Sequence, residues 1–74
     1  MDSITRELVA VGAAVTANCI PCLNFHYDKA VGAGATVDEI KAAIEVGRMV
    51  RRGAAQSWDK EADNLMGATQ EDKT

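Results

Sequence analysis

Cys19 and Cys22 form a C-x-x-C, and His26 follows four positions later. Two cysteines at that spacing can pass between dithiol and disulfide. Only the thiolate attacks a peroxide or a disulfide, so a setting that lowers a thiol pKa from its free value near ~8.5 is a functional device. Cys22 close to a helix start would feel the positive end of the dipole, and His26, one turn along, shares its face. The two can then be coupled directly or through one water. If one sulfur is oxidised to sulfenic acid or enters a mixed disulfide, the other resolves it, and an external dithiol reduces the resulting Cys19–Cys22 bond. Glu7 joins the set, because on an N-terminal helix it shares a face with Val11, Ala14 and Asn18 that leads toward the cysteines.

Each of these residues also has a plainer role. A lone helix glutamate is usually a solvated charge, a lone histidine a packing residue, and two cysteines can be buried hydrophobes with inert thiols. Cys19, Cys22, His26 and Glu7 could also offer sulfur, nitrogen and oxygen to Zn²⁺. Structural zinc sites usually draw on two separated knuckles, however, and this chain has no second Cys or His pair. No metal and no cofactor beyond the cysteine pair is expected.

The elements that must position these residues are helices. Ser3 can cap a first helix to about Thr16, with Ile4, Leu8, Val11 and Val15 at helical spacing. Asn18 to Pro21 interrupts the pattern, and Pro21 suits the first turn of a second helix running to about Val31. Leu23, Tyr27, Ala30 and Val31 give that helix an apolar side, and Gly32 and Gly34 end it. Thr36-Val37-Asp38-Glu39 reads as a capping box, followed by Val37, Ile40, Ala43, Ile44, Gly47 and Val50 at helix period, with Gly47 able to admit a close neighbour. Ala54 to Met66 is a fourth helix or an extension of the third, with Gly67 a plausible stop and a polar, frayed tail over about 68–74. Tyr27 and Trp58 are expected in the core or an interface. The predicted fold class is all-α, three to four helices in one domain over residues 1–74.

Composition narrows the function. The 74 residues carry 8 Lys and Arg against 11 Asp and Glu, a net charge of -3, which leaves no footprint for nucleic acid. Arg48, Arg51 and Arg52 are the one basic cluster, read as helix-end compensation and solubility, or else a subunit salt bridge. No apolar stretch approaches the roughly 20 residues that span a bilayer, and no leader pattern precedes the first helix, so a cytoplasmic, membrane-free protein is expected. A chain this short buries only about 60% of its unfolded surface. A disulfide between Cys19 and Cys22 would close too small a loop to staple the fold, which leaves self-association as the stabiliser.

Glu7, eleven residues, Cys19-x-x-Cys22, three residues and His26 together resemble the active-site signature of the AhpD-like alkylhydroperoxidases, within the carboxymuconolactone decarboxylase superfamily. The likeness runs from about Ile4 to Ala55 and includes Ala33-Gly34-Ala35-Thr36 and the helix start at Val37. The resemblance implies an all-helical unit assembled as trimers or hexamers. It implies Cys22 attacking peroxide, His26 and Glu7 as a proton relay with water, and Cys19 as the more exposed, resolving sulfur. A lipoyl-type or thioredoxin-like dithiol as donor is implied by the same analogy. The expected function is a thiol-dependent peroxidase or disulfide oxidoreductase; the alternative is a non-catalytic helical oligomeric binding or metal-binding module.

Overall fold

Asp2 opens the first helix. Its carboxylate accepts from the Thr5 amide at 2.8 Å and from the Thr5 hydroxyl at 3.1 Å, so the cap falls one residue ahead of Ser3, where the sequence had placed it. Asp and Ser are comparable caps, and Asp2 prevails because one side chain satisfies two Thr5 donors. The computed structural model describes the backbone of residues 1–73 and the side chains of residues 1–67. Helix α1 spans Ser3–Thr16, α2 spans Ile20–Ala33 and α3 spans Val37–Lys73, and no strand occurs among the described residues. The expected frayed tail over 68–74 falls outside the residues whose side chains are described.

The connection from α1 to α2 is a tight elbow. Asn18 sits in the left-handed region at φ 55°. The Asn18 amide donates to Val15 O at 3.1 Å and the Cys19 amide to Ala14 O at 3.0 Å, which closes α1 in the paired pattern of a Schellman turn. Asn tolerates that conformation better than other non-glycine residues. Gly34, at φ 98°, ends α2 in the same way, with the Ala35 amide returning to Ala30 O at 3.0 Å.

The capping box forms as the sequence predicts. The Thr36 amide donates to Glu39 Oε1 at 2.8 Å and the Glu39 amide to Thr36 Oγ1 at 3.1 Å. The helix that starts there does not stop at Gly53 or Gly67; it runs unbroken for 37 residues. Each interior glycine costs a helix only about 1 kcal/mol, and no proline follows Pro21 to break it. The third and fourth predicted helices are therefore one.

Helix α1 is the centre of the fold and packs against both α2 and α3. Val11 and Ala30 are fully buried, Ile40 nearly so, and Leu8, Leu23, Ala35, Ala43 and Ile44 pack around them. Gly47 sets the crossing of α3 over α1: a Cβ there would lie 2.5 Å from Gly12 O and 2.8 Å from Val15 Cβ. The Thr16 hydroxyl sits within hydrogen-bond distance of both Gly12 O (3.1 Å) and Gly47 O (3.2 Å), tying the two helices at that point.

The core is small, and much apolar surface stays outside it. Val46, Met49 and Val50 on α3 are about half exposed, and Trp58 is 72% exposed. Tyr27 and Trp58 are thus not core residues of the single chain. An apolar groove between α1 and α3, with space of about 580 Å³, is floored by Gly12 and Gly47 and walled by Val9, Val46 and Val50. No helix among the described residues is long and apolar enough to cross a membrane.

Candidate functional site

The elbow delivers Cys19 to the N-cap of α2. Its backbone is extended, its amide is held by Ala14 O, and its Sγ accepts from the Cys22 amide at 3.3 Å. Ile20 and Pro21 fill the first two helical positions, where a missing proline N–H is harmless, and Cys22 is the third. The helix start expected at Pro21 therefore lies one residue earlier. Cys19 and Cys22 are joined as a disulfide, with their Cα atoms 5.2 Å apart. Both sulfurs sit at the positive end of the α2 dipole, and the direct amide bond belongs to Cys19 rather than to Cys22.

Exposure reverses the pattern implied by the family resemblance. Cys22 is exposed and Cys19 is half-buried. The short elbow ties the Cys19 amide back to Ala14 O of α1, whereas Cys22 lies in the first turn of α2.

Glu7 and His26 meet across the α1–α2 interface, His26 Nδ1 standing 2.7 Å from Glu7 Oε1. The Glu7 side chain is 14% exposed and His26 31%. A carboxylate can only accept, so Nδ1 carries the bonding proton, and Nε2 is left as the acceptor nitrogen of the neutral ring. Beyond the pair, His26 lines a recess with Cys19, Cys22 and the small residues Ala10, Ala13, Ala14 and Ala17 of α1. The α1 wall of that recess is thus made of small side chains. The four residues singled out in the sequence thus lie along the α1–α2 interface, the cysteines at the elbow and the Glu7–His26 contact farther along the two helices.

Among the described residues, no three His, Cys, Asp or Glu side chains are grouped as a metal site would require. In the disulfide, moreover, neither sulfur is available as a thiolate ligand.

A second recess, of about 300 Å³, opens on the other side of Cys19. Arg51 reaches it from α3, Nη1 donating to Val15 O at 3.3 Å and to Asn18 Oδ1 at 3.1 Å. Helix α1 has no basic residue in its own last turn, and Arg51 supplies the compensating charge from a different helix. Arg48 lines the same recess and pairs with Glu45 at 2.7 Å. The sequence showed the basic cluster but not its neighbour: residues more than thirty positions apart become adjacent only because α3 crosses α1 at Gly47.

Comparison with known proteins agrees with the motif. The curated protein "Uncharacterized protein 4 in cox locus" of Paracoccus denitrificans is 36% identical over 72 residues, covering 92% of this chain and 65% of its own length. The chain therefore spans just under two thirds of that relative. No solved structure matches. The profile of the carboxymuconolactone decarboxylase family matches residues 1–62, a stretch that holds α1, α2, the cysteine pair and most of α3. This chain belongs to the carboxymuconolactone decarboxylase family.

Proposed function

We propose that the chain is a thiol-dependent peroxidase and disulfide oxidoreductase that cycles between a Cys19, Cys22 dithiol and the disulfide. The observation that carries this reading is the recess shared by Cys19, Cys22 and His26, backed by the 2.7 Å contact from His26 to Glu7. A structural disulfide would need no imidazole–carboxylate contact beside it, and this one closes a loop too short to stabilise much.

In the reduced chain the Cys22 thiolate attacks the terminal oxygen of a hydroperoxide. The O–O bond breaks, Cys22 becomes a sulfenic acid, and the alkoxide leaves as alcohol after taking one proton. His26, held by Glu7, first takes the Cys22 thiol proton onto Nε2 through water and then returns it to the leaving alkoxide. The Cys19 thiolate, favoured by the Cys22 amide at the N-cap, then attacks the sulfenic sulfur. The Cys19–Cys22 bond forms as the S–O bond breaks, and the hydroxide leaves as water by taking up the proton that the Cys19 thiol released. A dithiol of lipoyl or thioredoxin type returns two electrons and two protons, becoming a disulfide itself. No cofactor beyond the cysteine pair enters the cycle, and a cytoplasmic setting supplies such donors.

Second copies of the chain are the partners this surface suits. Five buried hydrophobics form the core of the described residues, and the groove walled by Val9, Val46 and Val50 would be covered by self-association. Light scattering of the purified chain should return an oligomer, and Val46→Glu should shift it toward the monomer.

The test of the chemistry is peroxide consumption with a small dithiol as donor, comparing wild type with Cys22→Ser, Cys19→Ser, His26→Ala and Glu7→Gln. Loss in both cysteine variants and slower turnover in the other two is the expected result. A wild type that consumes no peroxide yet exchanges its disulfide with the dithiol would leave an oxidoreductase and remove the peroxidase. If neither reaction occurs, the chain is a non-catalytic helical module.

A further inference from the structure

The recess beside Cys19 differs in character from the one facing His26. Much of its lining is aliphatic, from Val15, Ile20, Leu23 and Ile44, and Arg48 and Arg51 also line it. Both bonds of Arg51 leave from Nη1, and a guanidinium has five N–H donors in a fixed fork, so the group can hold the elbow and still face an oxyanion. Arg48 is 52% exposed and pairs with Glu45, three residues away on the same helix, a surface pairing of the kind that contributes little and exchanges readily. Two cations thus line one largely aliphatic recess on a chain whose net charge is -3.

We propose that this recess selects a thiol–disulfide substrate bearing a carboxylate at the end of an aliphatic chain, with the chain lying on Ile20, Leu23 and Ile44 and the carboxylate at Arg48 and Arg51. The inference rests on the dithiol cycle proposed above and names the class of donor that the cycle takes. With the carboxylate held there, the donor's sulfur is carried to Cys19, which lines this recess, whereas Cys22 and His26 line the other. One donor thiolate attacks Cys19 Sγ, forming a mixed disulfide and releasing Cys22 as a thiolate beside His26. The donor's second thiolate then attacks its own sulfur in the mixed disulfide. The donor leaves oxidised, as a cyclic disulfide, and both protein sulfurs are reduced, with two electrons and two protons transferred in all.

Dihydrolipoate and dihydrolipoamide carry the same dithiol and differ by one carboxylate, so their second-order rate constants for reducing the oxidised full chain isolate that group. An acidic protein should repel the charged donor; the proposal requires the opposite. Dihydrolipoate should react about tenfold faster at low ionic strength, a preference that shrinks with added salt. Arg48→Gln should bring the ratio of the two rates toward one, and Glu45→Gln, by releasing Arg48, should raise it. Arg51→Gln also loosens the α1 terminus, so Arg48→Gln and Glu45→Gln carry the test. A wild-type ratio of one or below, or a ratio that neither variant moves, overturns the anion site while leaving the dithiol cycle intact. Failure of both donors to reduce the disulfide overturns the cycle and this inference together.

Discussion

His26 Nδ1 lies 2.7 Å from Glu7 Oε1, nineteen residues away on the neighbouring helix. The contact holds the imidazole from one side, and His26 also lines the recess that holds the cysteines. If the two residues act as one relay, their removal should not add. Glu7→Gln and His26→Ala should each slow turnover by about 10²-fold, within the range general acid–base groups contribute, and the double variant should be little slower than the worse single. Steady-state kinetics of the three variants checks this. Multiplied losses would mean that the two residues act separately.

The α1–α3 crossing leaves no room at Gly47. Gly47→Ala gains helix propensity but places a methyl against Gly12 O and Val15 Cβ, one of them backbone that cannot turn aside. Overpacking of this kind costs about 1–3 kcal/mol. Thermal unfolding at fixed protein concentration should show a melting temperature lower by about 10 °C. The same substitution at Gly53, where an added Cβ meets nothing within 4 Å, should raise it.

Asp2 gives a pH dependence with a definite sign. The Thr5 amide and hydroxyl bonds hold its carboxyl below the ordinary value of 3.8. A depressed folded-state pKa stabilises above the unfolded pKa, and that contribution fades as pH falls through the lower folded value. Helix α1 should therefore fray at its first turn only in strong acid. An NMR titration of Asp2 should give a midpoint below 3.8, and Asp2→Asn, which keeps a capping oxygen without the charge, should remove this part of the acid dependence.

Asn18 holds a left-handed backbone and a bond from Arg51 at once. Asn18→Gly loses only the side-chain bond, whereas Asn18→Ala loses it and also strains φ by about 1 kcal/mol. Urea unfolding should rank wild type above Gly and Gly above Ala. An Ala variant as stable as the Gly variant would mean that the elbow relaxes out of the left-handed region.

The juxtaposition of the four candidate residues was legible from sequence because their spacing is local to two helices: Cys22 and His26 lie one turn apart, and Glu7 lies on the face of α1 that meets His26. The capping box at Thr36 and Glu39 was legible for the same reason, since both of its hydrogen bonds span three residues. Choices between near-equal local options were not. Asp2 and Ser3 both cap well, and a glycine such as Gly53 weakens a helix without ending it, so the cap and the continuity of α3 were decided by a few hydrogen bonds and by cumulative propensity. The role of Arg51 depended on a tertiary crossing. Its basic charge was evident and its ability to compensate a helix end was read correctly in kind, but the helix it serves is α1, which no periodicity in α3 reveals.

The elbow at Asn18 has one more consequence. Its shape is enforced by the amides of Asn18 and Cys19 returning to Val15 O and Ala14 O, bonds that involve no sulfur. Opening the Cys19–Cys22 bridge therefore releases two thiols without releasing the backbone that carries them. The oxidised and reduced forms should protect the same amides from hydrogen exchange, and the proposed cycle would begin from a scaffold already in place, its cost confined to the bonds being made and broken.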